Sequence, residues 1–137
     1  MGLFLPNCPY YVICYYAVLK AGGTVVNYNP LYAEREIARQ IEDSRTGLMV
    51  TLNVRAMYPK VAARLDDTCL EKVVVCGMTG ALPFPERALF ALFKRSEVSS
   101  IPTDEHHIKF DKLFRRADAL GFDLVATGHH ATILEEH

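Results

Sequence analysis

Leu19-Lys20-Ala21-Gly22-Gly23-Thr24-Val25-Val26-Asn27-Tyr28-Asn29-Pro30 is the stretch that decides the fold class. Its first residues finish an apolar helix, and Gly22-Gly23 stop that helix because glycine accepts the left-handed backbone of a helix C-terminus. Thr24 to Tyr28 then reads as a strand, rich in β-branched residues. Asn29-Pro30 closes the strand in a turn. A helix, a glycine stop, a short strand and a turn in direct succession are the joint of an α/β unit.

Upstream of this joint, Gly2 to Leu5 reads as a buried strand cut by Pro6. Asn7 then caps a helix that carries Pro9 in its first turn and runs to about Ala21. Downstream, Ala33 to Ser44 reads as a helix with Ile37 and Ile41 on one face and charges on the other. Leu48 to Leu52 is a strand, Asn53 caps a helix to about Leu65, and Leu70 to Cys76 is a strand around Val73-Val74-Val75. Gly77 to Pro85 reads as loop and Arg87 to Lys94 as a short helix. Ser96 to His107 is polar, is broken by Pro102 and is the best linker candidate. Phe110 to Leu120 reads as a basic-faced helix ended by Gly121, and Phe122 to Thr127 as a last strand before Gly128-His129-His130. The alternation predicts an α/β fold, with a mostly parallel sheet of about five strands and helices on its faces.

The chain of 137 residues suits one domain with a real core. A formal net charge of -1 gives no global drive towards nucleic acid or anionic membrane. Cys8, Cys14, Cys69 and Cys76 show no two-residue spacing, so they read as buried free thiols in a reducing cytosol rather than a metal site. The opening Met1-Gly2-Leu3-Phe4-Leu5-Pro6 has no basic leader. Tyr10 to Leu19, the most apolar run, falls short of the roughly 20 residues of a membrane span. A cytoplasmic location with no membrane span is the expectation.

Leu5-Pro6-Asn7, the joint from Leu19 to Tyr32 and the continuation Glu34-Arg35-Glu36-Ile37 resemble the early core of the adenylate-forming superfamily. More narrowly, they resemble the long-chain fatty acid–CoA ligases. Tyr58-Pro59-Lys60-Val61, Leu70-Glu71-Lys72-Val73, Leu82-Pro83-Phe84-Pro85, Phe93-Lys94-Arg95 and Ile101-Pro102-Thr103-Asp104 extend the resemblance over residues 1–113. It implies joining a carboxylate to AMP and passing the acyl group to coenzyme A, with ATP, Mg and coenzyme A as cofactors. In that family the phosphate loop, the magnesium-binding glutamate, the adenosine-binding segments and the catalytic lysine lie downstream of the matched region. The chain has no glycine-rich phosphate loop of its own. No catalytic residue is therefore assigned, no cofactor is expected for this chain alone, and ligase activity alone is not expected.

The tail carries a different resemblance. Ile108-Lys109-Phe110, Arg116-Ala117-Asp118-Ala119-Leu120-Gly121-Phe122-Asp123 and Ala126-Thr127-Gly128-His129-His130-Ala131 are similar to the tRNA-specific 2-thiouridylases. The resemblance implies that Thr127, Gly128 and His129 form a nucleotide-binding loop, with Gly128 nearest the ATP. Where that family has its nucleophilic cysteine this chain has Asp104, and carboxylate oxygen does not replace a thiolate in persulfide transfer. Two segments are expected: residues 1–107 ligase-like and residues 108–137 thiouridylase-like, in a partial or chimeric protein. The alternatives are a nucleotide- or tRNA-binding module and an engineered fusion with a purely structural role.

Other clusters have plainer readings. His106-His107 and His129-His130 lack the three or four converging ligands of a metal site and read as solvated or hydrogen-bonded, so no metal is assigned. Asp66-Asp67 and Glu135-Glu136 read as solvated acids. Lys109, Lys112, Arg115 and Arg116 form the basic cluster that would meet a tRNA backbone. Tyr10, Tyr11, Tyr15 and Tyr16 form a core or partner-facing stripe. Apolar faces left exposed are expected to drive self-association.

Overall fold

The computed structural model describes residues 1–78 and 97–113. Eight elements follow in order: β1 (Gly2–Phe4), α1 (Pro9–Lys20), β2 (Val26–Asn27), α2 (Glu34–Ser44), β3 (Leu48–Leu52), α3 (Tyr58–Ala62), β4 (Lys72–Cys76) and β5 (His107–Lys109). The five strands form one sheet in the order β2-β1-β3-β4-β5, and every pairing is parallel. This is the α/β fold with helices on a parallel sheet that the alternation predicts.

Register assigns each helix to a face. Strand side chains alternate between faces, and paired residues in a parallel ladder share one. Met49 and Thr51 thus share a face with Val73, Val75, His107 and Lys109, while Val50, Leu52, Val74, Cys76 and Ile108 look the other way. Tyr58 of α3 bonds His107, so α3 lies on the first face, together with α2, which packs on it. α1 covers the second face: its Tyr11 reaches Asn27 and its Tyr10 packs edge-on against Phe110, the residue after β5. Right-handed crossovers require this split, because the chain reverses direction across the sheet after β2.

Local chemistry sets the ends of the elements. α1 starts at Pro9, with Cys8 rather than Asn7 as the N-cap residue and no side-chain cap bond. Proline fits the first turn because its missing N–H has no helical partner there. The same rule delays α3. The helix expected from Asn53 starts only at Tyr58, since Pro59 is tolerated only in a first turn. At α2, Glu36 accepts the Ala33 N–H at 2.7 Å. Ala33 has no side-chain oxygen with which to return the bond.

α2 ends on Arg45 at φ 50, a left-handed conformation that costs a residue bearing Cβ. Arg45→Gly is expected to raise stability by about 0.5–1 kcal/mol. Urea denaturation reads the gain as a higher midpoint at unchanged slope; a lower midpoint contradicts it.

One expectation changes at the chain's return to the sheet. Residues 97–109, read as linker up to His107, are part of the fold. Val98 bridges Val54, and His107–Lys109 pairs with Val73–Val75. The polar residues there also bond backbone: Asp104 Oδ1 accepts the N–H groups of His106 and His107, both at 2.9 Å. β5 spans the expected boundary between residues 107 and 108. The helix read over Arg87–Lys94, the last strand and most of the final helix lie outside the described residues; of that helix, residues 110–113 are helical.

Candidate functional site at the carboxyl edge of the sheet

Open parallel sheets bind ligands outside the carboxyl ends of their strands. Here the ends of β3, β4 and β5 surround a cavity of about 310 Å³, lined by Asn53, Val75, Gly77, Ser99, Ser100, Ile101, Lys109 and Asp111. Its strand-borne walls belong to the face that carries α2 and α3.

Asn53 builds this edge. Its N–H donates to Cys76 O at 2.9 Å, its carbonyl accepts Ser99 N–H at 2.8 Å, and its Oδ1 accepts Met78 N–H at 2.7 Å. One residue thereby ties the end of β3 to the exit of β4 and to the returning 97–101 segment. Lys109 and Asp111 put opposite charges on the wall and make no ion pair with each other among the described residues. Below Asn53, the buried Thr51 hydroxyl has no hydrogen-bond partner among the described residues.

The reversal of strand order falls between β1 and β3, where folds of this type place phosphates against a helix N-terminus. That position here holds Leu5-Pro6-Asn7-Cys8-Pro9. Pro6 and Pro9 carry no N–H, and no glycine lets backbone approach an anion. Among the described residues, no three His, Cys, Asp or Glu side chains converge on a metal. The described residues at this position do not fit a nucleotide triphosphate with its magnesium.

The thiols differ in setting. Cys14 and Cys76 are buried and Cys8 is half-buried, while Cys69 is exposed, contrary to the expectation of four buried thiols. The hydrogen-bond contact with Cys14, together with burial, pushes the Cys76 thiol far up, and burial raises Cys8. Both shifts disfavour the thiolate, the reactive form.

Of the residues singled out in the sequence, Lys109 lines the cavity and Lys112 is exposed in the helical turn beyond it. Arg115, Arg116, Thr127, Gly128 and His129 lie outside the described residues. His106 and His107 are hydrogen-bonded: His106 Nδ1 bonds Glu71 O at 2.9 Å, and His107 bridges Asp104 and Tyr58. That bridge and the Asn53 junction are absent from the sequence reading. The alternation His107-Ile108-Lys109-Phe110 was the available signal for β5.

α1 presents a further surface. Val12, Tyr16 and Leu19, at helical spacing, are 54%, 60% and 46% exposed, although Cys14 and Val18 of the same helix are buried. A helix apolar on both sides belongs inside a larger body. No helix among the described residues is long and apolar enough to cross a membrane.

Comparison with known proteins agrees with this placement. The AMP-binding enzyme family model matches residues 1–113, the stretch that contains all five strands. A long-chain-fatty-acid–CoA ligase of Bacillus subtilis (strain 168) is 36% identical over 112 residues, 82% of this chain and 18% of that protein. One of Escherichia coli O157:H7 is 33% identical over 79 residues, 57% of this chain and 14% of that protein. 4-Coumarate–CoA ligase 1 of Arabidopsis thaliana is 32% identical over 87 residues, 64% of this chain and 15% of that protein. No solved structure matches the chain significantly. The chain thus spans less than a fifth of the length of these relatives, and it belongs to the AMP-binding enzyme family.

Proposed function

We propose that this chain is framework of an AMP-forming fatty acid–CoA ligase and carries no ligase activity alone. The observation that supports this reading is the span of the family match, which covers the β1–β5 sheet while the chain covers 18% of a full ligase's length. The chain supplies a scaffold: a rigid sheet, a cavity at its edge and an apolar helix face for the rest of an enzyme to cover. In a full-length ligase ATP, Mg and coenzyme A are used by groups outside this stretch. Left uncovered, the Val12–Tyr16–Leu19 face favours self-association. Four free thiols support a reducing, cytosolic setting.

The test is turnover. With a long-chain fatty acid, ATP, Mg and coenzyme A, the purified 137-residue chain is expected to form neither acyl-AMP nor acyl-CoA above a no-protein blank. Sustained, protein-dependent acyl-CoA formation rejects the reading.

A second reading concerns the tail, because the family match ends at residue 113 and the resemblance to tRNA 2-thiouridylases runs from Ile108 to Ile133. On this reading Thr127, Gly128 and His129 meet a nucleotide, with Lys109, Lys112, Arg115 and Arg116 on a tRNA backbone, in a chimeric chain whether natural or engineered. Titration with ATP then shifts the Gly128 amide signal, and Gly128→Val abolishes the shift. A Gly128 signal that stays put up to saturating ATP, and with tRNA, removes this reading and leaves the first intact.

A further inference from the structure

Asp104, His107 and Tyr58 form a continuous hydrogen-bonded chain. His107 Nδ1 lies 2.8 Å and 3.0 Å from the two Asp104 carboxylate oxygens, and its Nε2 lies 2.9 Å from the Tyr58 hydroxyl. The carboxylate can only accept, so Nδ1 carries a proton towards it; the neutral ring then accepts the Tyr58 O–H at Nε2. The His107 side chain is 7% exposed and its ring packs against that of Tyr58. None of the three residues lines the cavity at the carboxyl edge. Together they join the first residue of β5 to α3.

Its position gives it a task. β5 is the outermost strand among the described residues, three residues long, and it covers the edge of β4. β4 is Lys72-Val73-Val74-Val75-Cys76, and its three valines are at most 4% exposed. Without β5, this edge is apolar and β-branched, free of proline and uncharged between its ends, which is the composition that pairs with another copy of itself. Ile108 and Phe110 hold β5 from the α1 face. On the α3 face the Asp104–His107–Tyr58 chain does so.

We infer that Asp104–His107–Tyr58 is a latch that keeps β5 on the β4 edge, and that opening it converts Val73–Val75 into a self-association site for a second copy of this chain. The groups that face the latch are Glu105 and His106 on the same turn, Tyr58 from α3, and Glu71 ahead of β4, whose carbonyl holds His106. The hydrogen bond from His107 holds the Asp104 carboxyl below its ordinary value of 3.8. A depressed carboxylate contributes fully above its unfolded value. That contribution is lost as pH falls through the lower folded value, so acid below 3.8 opens the latch.

The test uses the whole chain and two readouts. The Val73 N–H, bonded to His106 O at 2.8 Å, reports β5 docking by hydrogen exchange. Sedimentation velocity at several concentrations reports self-association relative to the parent. Asp104→Asn is expected to speed Val73 exchange about tenfold, the usual worth of a charged hydrogen bond, and to raise the associated fraction. Tyr58→Phe, which keeps the ring, moves both readouts in the same direction by less, and Glu105→Gln moves neither. The parent should approach Asp104→Asn behaviour as pH drops below the ordinary aspartate value, whereas Asp104→Asn itself should be insensitive over that range. Unchanged Val73 exchange in Asp104→Asn and Tyr58→Phe overturns the latch. Faster exchange without added association overturns the role of the β4 edge.

Discussion

Phe4→Ala is expected to lower the free energy of unfolding by about 3–5 kcal/mol. Phe4 is the largest fully buried side chain among the described residues. It ends β1, the strand between β2 and β3, and it pairs with Thr51. A truncation there removes packing from the centre of the sheet, and flanking strands held by backbone hydrogen bonds collapse only partly into the space. Domains of this kind hold about 5–15 kcal/mol in all, so the loss takes a large share. Urea unfolding followed by circular dichroism measures it. A loss under about 1.5 kcal/mol, the level of a tolerated volume-conserving swap, contradicts the placement of Phe4 in the core.

Asn53→Ala is expected to cost about 1–3 kcal/mol, because the Met78 N–H loses its acceptor in a half-buried setting. The two backbone bonds of residue 53, to Cys76 and Ser99, survive the substitution. The damage should therefore be local: faster exchange of the Met78 amide and a wider cavity mouth beside Gly77. Asn53→Asp keeps an acceptor oxygen and is expected to recover most of the loss. Equal destabilisation by the two variants means that the Oδ1–Met78 bond is not what Asn53 contributes.

Much of the fold is legible in the sequence because its strands are short apolar runs bounded by Gly, Pro and Asn. Leu48–Leu52 matches to the residue, and Ile37 and Ile41 face the core as their spacing requires. The misses share a cause. Asn53 reads as a helix cap because a cap is a local motif, but its side chain is taken by Met78, which only tertiary structure brings near. Ser96 to His107 reads as linker because polar residues usually face water. Asp104 and His107 instead bond each other, Tyr58 and their own backbone, which leaves His107–Lys109 free to pair with β4. Pro59, in plain view, should have shortened α3. Of the candidate site, Lys109 was visible as a charge but not as a cavity wall. The wall exists only once β4 and β5 are side by side.

The interior place of β1 has a consequence for how the molecule comes together. Gly2 finds one partner in Val26 and the other in Met49, so β1 has both edges occupied only once β3 has joined it. Bringing Met49 to Gly2 closes a long loop before any reward is collected, and loop closure of that kind slows folding. A nascent chain released before Leu52 would hold β1 with one bare flank. Once β3 is in place, the sheet extends on that side alone, through β4 to β5.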